Sequence, residues 1–155
     1  MNNHAQHGIE SGDLDSLVRH HQGAMPLWAR GQIARFFQAV RHADDMTLMS
    51  PFGAYSEGID RSPERIAVLE GYFTGGEGHV EVIRALASGD LAVLVTIEHQ
   101  HGTIGGLPDQ DWSLRVTVVY RREAEGWKVV HRHADPLVRG IELEPLAELA
   151  RGARR

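Results

Sequence analysis

Two segments near the C-terminus decide the fold: LRVTVVYRR at Leu114–Arg122 and GWKVVHRHAD at Gly126–Asp135. Both are rich in valine, and polar and apolar positions alternate along them, which is typical of β-strands. The connection Glu123–Gly126 is short and acidic and ends in glycine, so it predicts a hairpin turn. The two segments therefore predict an antiparallel hairpin near the end of the chain.

Two more strands are predicted directly before this hairpin, because the same two-residue period recurs there. The turn Ser88–Asp90 separates them, and the loop Gly102–Gln110, with three glycines and a proline, leads into the hairpin. Together the segments predict a four-stranded antiparallel meander. Its expected strands are His79–Ala87, Leu91–His101, Trp112–Arg122 and Trp127–Asp135.

The N-terminal half shows the 3.6-residue period of helices instead. Pro26 and the sequence Ser62-Pro63-Glu64 are typical helix starts, and Gly75-Gly76 ends the third helix. Helices followed by an antiparallel meander predict the α+β class. The other expected elements are helices at Asp13–His21 and Pro26–Ala43, short strands near Met46–Gly53 and Ala54–Gly58, and a weak final helix near Glu144–Arg151.

The composition is that of one globular domain. The 155 residues are 42% apolar and 24% charged, with a net charge of −5 and no cysteine. A negative chain does not favour nucleic acid or an anionic membrane, and the lack of cysteine excludes thiol chemistry. The polar N-terminus has no signal-peptide pattern, and no stretch approaches the roughly 20 apolar residues of a membrane helix. We therefore expect a cytoplasmic protein without nucleic-acid or membrane partners.

The chain is expected to divide into a frayed segment at residues 1–11, one domain at 12–140, and a C-terminal helix with a basic tail at 141–155. It has no glycine-rich dinucleotide motif and no Walker loop, so no cofactor is expected. The pairs His99/His101 and His131/His133 are separated by two strand spacings, about 9.6 Å. That is too wide for the ligands of one zinc ion, so no metal site is expected.

The hairpin carries a resemblance to a known family. Its valine-rich first strand and the Gly-Trp…His-Arg-His-Ala-Asp second strand resemble the C-terminal hairpin of the nuclear-transport-factor-two-like superfamily. The nearest branch is that of the SnoaL-like and ketosteroid-isomerase-like proteins, and the order of elements matches over about residues 13–138. A similar hairpin occurs in the association domain of calcium/calmodulin-dependent kinase II.

This resemblance implies a cone-shaped cystatin-like fold, in which a curved antiparallel sheet carries the N-terminal helices on its concave face. It also implies a hydrophobic small-molecule pocket inside the cone and a homodimer formed through the convex face. It does not determine the activity, because the superfamily includes isomerases, dehydratases, hydrolases and oligomerisation modules. The acid and tyrosine trio of the ketosteroid isomerases is not matched here, so steroid isomerisation is not predicted.

A candidate site follows from the register of the hairpin. A turn centred on Ala124 places Thr117 opposite His131 and Arg115 opposite His133, so these four side chains share one face with Trp127 and Val129. If that face is concave, Arg115 would hold an oxyanion and His133 would move a proton. His131 and Asp135 would orient the proton carrier. The alternative is that these side chains bind one another or line the dimer face.

Other residues are candidates for the pocket walls. The expected ligand-binding residues are His131, Thr117, Trp28, Tyr55, Tyr72, Met49 and Glu98. Aromatic residues at helical spacing are more often core than binding site. Glu98 lies on an apolar strand, where burial would raise its pKa, although a solvated or interface carboxylate is the favoured interpretation.

The favoured hypothesis is a homodimer that binds a small anionic or enolisable molecule and acts on it as a cofactor-independent isomerase, dehydratase or hydrolase. The alternative is a non-catalytic ligand-binding or oligomerisation module, so enzyme activity is left open. The dimer contact is expected to use the apolar residues Val116, Val118, Tyr120 and Val130 on the convex face.

Overall fold

The computed structural model describes residues 11–152, so the frayed N-terminus expected at residues 1–11 and the last residues of the basic tail lie almost wholly outside it. Helices come first along the chain and the long strands follow, which confirms the α+β class. The helices are α1 (Ser11–Ala24), α2 (Pro26–Ala29), α3 (Ile33–Ala39), α4 (Pro63–Tyr72) and α5 (Leu143–Arg151). The strands are β1 (His42–Met49), β2 (Ser56–Glu57), β3 (Phe73–Ser88), β4 (Leu91–Ile104), β5 (Gln110–Asp111), β6 (Leu114–Glu123) and β7 (Gly126–Asp135).

All seven strands form one curved sheet in the order β2-β1-β7-β6-β4-β3, with β5 paired to β4. The meander β3–β4–β6–β7 is antiparallel, as the alternating segments predict. The pairing of β1 with β7 is parallel, which was not expected. It brings the N-terminal strand beside the hairpin that decides the fold.

The helix expected over Pro26–Ala43 is two helices. α2 ends at Ala29 and α3 begins at Ile33, and between them Gly31 has φ 70°. A Cβ on Gly31 would lie 2.1 Å from the carbonyl oxygen of Phe73. The chain therefore bends where its backbone passes directly against the first residue of β3, at a position that only glycine fits.

One face of the sheet is covered by the first three helices, and we call it the concave face. On β4 and β6 the buried residues alternate with exposed or half-buried ones, as in a sheet covered on one side. The core between helices and sheet contains Leu17, Ile33, Phe36, Ala92, Leu94, Val116, Val118, Tyr120, Val129 and Ala134.

The alternating positions form the opposite surface, which we call the open face. By register it includes Val93, Val95, Ile97, Arg115, Thr117, Val119, His131 and His133. The prediction that Val116, Val118 and Tyr120 form the convex dimer surface is therefore wrong, because all three are buried on the concave face. The helices need an apolar surface to pack on, and this set of alternating residues is the more apolar of the two.

The register of the hairpin also differs from the prediction. Thr117 lies opposite His133, and Arg115 lies opposite Asp135. The shift has two causes, a tight turn between Glu123 and Gly126 and a β-bulge at Val130, where Val119 pairs with His131 but Tyr120 pairs with Val129. The bulge also turns the residues before it to the other face, so Trp127 and Val129 lie on the concave face and not beside the two histidines.

Candidate functional site

An ion pair lies on the concave face between β4 and β7. Both guanidinium nitrogens Nη1 and Nη2 of Arg132 donate to the two carboxylate oxygens of Glu98, at 2.7 and 2.9 Å. Glu98 is 6% exposed, and the side chain of Arg132 is 21% exposed. β6 runs between the two strands, so Arg132 reaches across the floor of the cone to meet the acid.

Each member of this pair keeps the other charged. Burial alone would raise the pKa of Glu98, but the charge of Arg132 and its two hydrogen bonds outweigh burial and hold that pKa below its ordinary value. Burial alone would lower the pKa of Arg132, and Glu98 raises it instead. The pair therefore provides two fixed and opposite charges inside the cone.

A second polar pair joins α1 to β6. The Nδ1 atom of His21 lies 2.7 Å from the hydroxyl oxygen of Tyr120, and the two rings meet edge-on. Both residues are buried, with exposed fractions of 0% and 2%. Burial lowers the pKa of His21 to about 4 and raises the pKa of Tyr120 above its ordinary value. At neutral pH the imidazole is neutral and the phenol keeps its proton.

Two buried polar atoms beside these pairs have no hydrogen-bond partner among residues 11–152. They are Nε2 of His21 and the hydroxyl oxygen of Thr96. Thr96 is fully buried and lies two residues before Glu98 on the same face of β4. An unsatisfied buried group costs about 1–3 kcal/mol, so a water molecule or a ligand group that bonded to either atom would be stabilising. We call His21, Thr96, Glu98, Tyr120 and Arg132 the interior cluster.

The space around this cluster is small in the structure. A cleft reaching Glu98 runs between the junction of α1 with α2 at Met25 and Pro26 and the strands at Gly78 and Val80. Its volume is about 10 Å³, which is room for about one water molecule. A second cleft of the same size lies at the end of the sheet and is lined in part by Trp28, Phe73 and Trp112.

Another buried histidine lies outside the interior cluster. His42 is 7% exposed and packs against the rings of Phe36 and Phe37 at the start of β1. Burial, assisted by the positive charge of Arg61, lowers the pKa of His42 to about 4. Its Nδ1 atom has no partner within the described part of the chain. His42 is therefore a neutral member of the aromatic core.

The residues predicted to be catalytic lie together, but on the open face. Arg115 donates to both carboxylate oxygens of Asp135 at 3.0–3.2 Å, and its side chain is 57% exposed. His133 lies opposite Thr117, and Nδ1 of His131 is 2.7 Å from the hydroxyl of Thr47. The expectation that this group floors the concave cavity is not met, because the polar set of alternating residues faces away from the helices. A catalytic role for it stays a prediction and now concerns the open face.

The other predicted ligand-binding residues are dispersed. Glu98 belongs to the interior cluster, although its pKa is lowered and not raised as burial alone would require. Trp28 packs edge-on against Phe36, Phe37 and Phe73, so it belongs to the helix-facing wall. The structure does not bring the remaining three to the interior: Tyr55, Tyr72 and Met49 are 69%, 42% and 41% exposed.

The sequence analysis missed His21, Thr96, Tyr120 and Arg132. The sequence pattern singles out nothing at His21 and predicts Tyr120 on the dimer face. One signal was present in the sequence: Glu98 alternates with Ala92, Leu94 and Thr96 on a strand that must bury that face. An acid there requires a buried cation, and Arg132 supplies it.

Among residues 11–152, no group of three or more histidine and acidic side chains is arranged to hold a metal ion. Within the same range, no helix combines the length and the apolar character needed to cross a bilayer.

Comparison with known proteins gives a family match. The family model described as SnoaL-like domain matches residues 27–138. No curated protein matches the chain. The matched segment contains every residue of the interior cluster except His21, which α1 contributes from outside it.

Solved structures with similar folds are numerous. A proposed dehydratase of the nuclear transport factor 2-like family from Streptomyces avermitilis is 18% identical, with a TM-score of 0.66 over 83% of this chain and 98% of that one. A protein with a cystatin-like fold from Novosphingobium aromaticivorans is 16% identical, with a TM-score of 0.61 over 88% and 90%. The CaMKII hub of S. rosetta is 16% identical, with a TM-score of 0.60 over 82% and 98%. These likenesses concern the fold.

Proposed function

The chain belongs to the SnoaL-like family, and from that membership we propose that it binds a small molecule inside the cone and transfers a proton on it without a cofactor. The observation that carries this proposal is the interior cluster, in which two fully buried polar atoms, Nε2 of His21 and the hydroxyl oxygen of Thr96, have no partner within residues 11–152. Inside a cone of apolar residues, such atoms are the places where a ligand gains most by binding.

The proton transfer is assigned to the pair of His21 and Tyr120. In one tautomer, Nδ1–H of His21 donates to the hydroxyl oxygen of Tyr120, which leaves the lone pair of Nε2 free to accept a proton. The hydroxyl hydrogen of Tyr120 is then free to donate to a ligand oxygen. A C–H proton beside a carbonyl would move to Nε2, and the electron pair would move onto the carbonyl oxygen. Return of the proton to another carbon completes an isomerisation.

The ion pair supplies the electrostatic environment for this step. The negative charge of Glu98 favours the imidazolium that forms on His21, and Arg132 opposes it. Arg132 in turn favours the enolate oxygen. Because the cluster is neutral as a whole, we propose an uncharged enolisable ligand, and not the anion expected from a free Arg115.

A dehydration could use the same groups, and the proposed dehydratase from Streptomyces avermitilis supports that class of reaction. The proton taken by Nε2 would then return to a departing hydroxyl group and leave as water. The room for about one water beside Glu98 suits such a product. Isomerisation and dehydration share the first step, so one experiment tests both.

That experiment is hydrogen–deuterium exchange on a panel of small ketones in D₂O, followed by proton NMR. We expect the chain to accelerate exchange beside the carbonyl of at least one ketone. His21→Ala should reduce the rate by 10²-fold or more, roughly the contribution of a general base. His20→Ala is the matched control, since His20 is the exposed neighbour on the same helix.

Tyr120→Phe keeps the ring and removes only the hydroxyl, so it tests the site if His21→Ala does not fold. Rates unchanged in both variants would assign the exchange to another part of the molecule. Absence of exchange, together with no ligand-induced rise in melting temperature for any ketone, would leave the interior cluster a purely structural feature.

We also propose a homodimer, in which a second copy covers the open face. The supporting observation is a group of half-buried apolar residues at the centre of the open face: Val93, Val95, Ile97 and Val119. In a monomer this face would contact water, and polar residues would be stable there, so the apolar residues favour a partner surface. Sedimentation equilibrium at micromolar concentration tests it, and a monomer there contradicts it.

A further inference from the structure

The interior cluster is closed in the structure, so a ligand needs a path into it. The cleft of about 10 Å³ that touches Glu98 has room for one water molecule and none for a ketone. Of the two clefts described above, only this one is lined by a member of the cluster. Its walls are the bend between α1 and α2 on one side and strands β3 and β4 on the other. We call the contact of residues 22–30 with residues 76–80 the seam.

Strand β3 presents bare backbone to the bend along the seam. A Cβ on Gly76 would lie 2.7 Å from the carbonyl oxygen of Ala29, and a Cβ on Gly78 would lie 3.5 Å from the Cβ of Ala29. At these two positions the bend therefore packs on the main chain and does not interdigitate with side chains of β3. Parting the two surfaces there separates little apolar area, so it costs less than opening a packed core.

The main chain of the bend is held only loosely. Pro26 has no N–H, so the hydrogen-bond ladder of α1 ends where the N–H of Met25 donates to the carbonyl of His21 at 3.0 Å. Helix α2 then has only four residues and no side-chain cap. Among residues 11–152, no backbone hydrogen bond joins the bend to β3.

Two side-chain contacts tie the bend to β3 instead. Nε2 of Gln22 donates to the carbonyl oxygen of Val80 at 3.3 Å, and Nε of Arg30 donates to the carboxylate of Glu77 at 2.9 Å. The side chains of Arg30 and Glu77 are 40% and 64% exposed, and exposed ion pairs are weak. Both ties can be exchanged for hydrogen bonds to water when the seam parts.

Met25 is the side chain that closes the cleft. It is 7% exposed and lines the cleft together with Glu98. Methionine is unbranched and flexible, so it can move aside without a strained rotamer. Further along α2, Trp28 packs edge-on against Phe36 and Phe73 and anchors that end of the helix. The movement that opens the cleft is therefore expected at the Met25 end of the bend.

We propose that small molecules reach the interior cluster through the seam, and that Met25 closes this entrance and limits the size of the ligand that passes. This inference rests on the proposed function, because it supplies the entrance to the site assigned there. It makes Met25 a determinant of which ketones enter, and not a participant in the proton transfer.

A buried thiol can report the opening directly. The chain has no cysteine, so Thr96→Cys introduces a single thiol at a fully buried position of the interior cluster. Methyl methanethiosulfonate, a small uncharged reagent, modifies that thiol only when the interior opens. We expect modification about tenfold or more faster than global unfolding, measured by urea denaturation, would allow. Val116→Cys, at the buried position opposite Thr96, is the second reporter if the first variant does not fold.

The role of Met25 is tested by truncating it in the reporter chain. Met25→Ala should raise the rate of thiol modification about tenfold or more beyond its loss of stability, because it leaves a gap in the seam. Met46→Ala is the matched control: Met46 is as buried but lies on β1, outside the cleft. Its effect should not exceed what its loss of stability requires. If both variants follow stability alone, the proposed entrance is wrong.

The ties are tested in the same reporter chain. Glu77→Gln should speed modification about threefold while stability changes little, as expected for the loss of a weak ion pair. Glu125→Gln is its control, since Glu125 is 68% exposed and pairs with Lys128 away from the seam. It should leave the rate unchanged. Equal rates in the two variants would contradict a closing role for the tie.

Deuterium exchange of the ketone panel separates this inference from the proposed function. Met25→Ala should extend exchange to bulkier ketones than the unaltered chain accepts. If exchange depends on His21 but its size range is the same with and without Met25, the entrance is wrong and the proposed function stands. If the thiol is modified through the seam and no ketone exchanges, the entrance stands and the proposed function is wrong.

Discussion

Arg132 binds Glu98 with two parallel hydrogen bonds across an intervening strand, inside the cone and under the N-terminal helices. Such a pair is weak support for stability, because moving two charges out of water costs nearly as much as their attraction returns. Removing one partner is a different matter, since it leaves the other charge buried alone. The pair is therefore the most sensitive point of the interior.

Glu98→Gln should lower the free energy of unfolding by about 3–5 kcal/mol, the usual cost of leaving a buried charge without its partner. Urea denaturation measures the change. Glu77→Gln is the matched control: Glu77 pairs with Arg30 but is 64% exposed, so its loss should be below about 1 kcal/mol. Replacing both members by Glu98→Leu and Arg132→Met should restore much of the stability. Equal losses in Glu98→Gln and in the control would mean that the interior pair is solvated.

Stability should fall as the solution is acidified from pH 7.5 to 5. Burial lowers the pKa of both His21 and His42 from 6.5 to about 4, so between these values the unfolded chain binds more protons than the folded one. Above pH 6.5 the two histidines are neutral in the folded and the unfolded chain and do not affect stability. By pH 5 each histidine should have lowered the free energy of unfolding by about 2 kcal/mol. Urea denaturation at several pH values measures the slope. His42→Phe should remove about half of it, and a flat profile in the unaltered chain would show that these rings are hydrated.

Gly76 should not tolerate a side chain. A Cβ there would lie 2.2 Å from the carbonyl oxygen of His101 and 2.7 Å from that of Ala29, where α2 crosses β3 and β4. Gly76→Ala should therefore cost more than about 2 kcal/mol, as overpacking against backbone does. Gly23→Ala, on α1 with nothing within 4 Å, should be neutral or stabilising by up to about 1 kcal/mol. Thermal denaturation of the two variants side by side decides the matter.

Arg115→Ala should have little effect on the isolated domain. Arg115 forms an ion pair with Asp135, and the arginine side chain is 57% exposed. Exposed ion pairs contribute about 0–1 kcal/mol to the free energy of unfolding. If Arg115 instead anchored a carboxylate ligand, the variant would bind a simple carboxylate such as acetate less tightly, by about 1.5–3 kcal/mol. NMR titration of both proteins with acetate distinguishes the two, and we expect no difference.

The fold could be predicted from local patterns, because each strand of the meander has its own two-residue period and the helices beginning at Pro26 and Pro63 have clear start signals. The break at Gly31 could not, since it depends on contact with Phe73, far along the chain. The face of the hairpin was assigned wrongly for a related reason. Alternation shows which residues lie together, whereas the helices decide which set is buried.

The interior cluster was harder to predict than the fold. Glu98 could be singled out as an acid on an apolar strand. Its partner Arg132 lies between His131 and His133, and the proposed chemistry was assigned to those two histidines instead. His21 lies on a helix outside the meander, and only tertiary packing brings it to Tyr120. A contact between two segments that lie far apart along the chain produces no characteristic residue spacing, so the sequence alone does not reveal it.

The bulge at Val130 determines what this cone contains. Because of that extra residue, Trp127 and Val129 point inward before it, and Arg132 and Ala134 point inward after it. If β7 paired with β6 without the bulge, so that Val130 lay opposite Val119, the first half of β7 would stay in place and the second half would be inverted, so that two imidazoles entered the cone and the guanidinium left it. The interior chemistry of the cone thus depends on this one extra residue in the pairing, and not only on which side chains β7 carries.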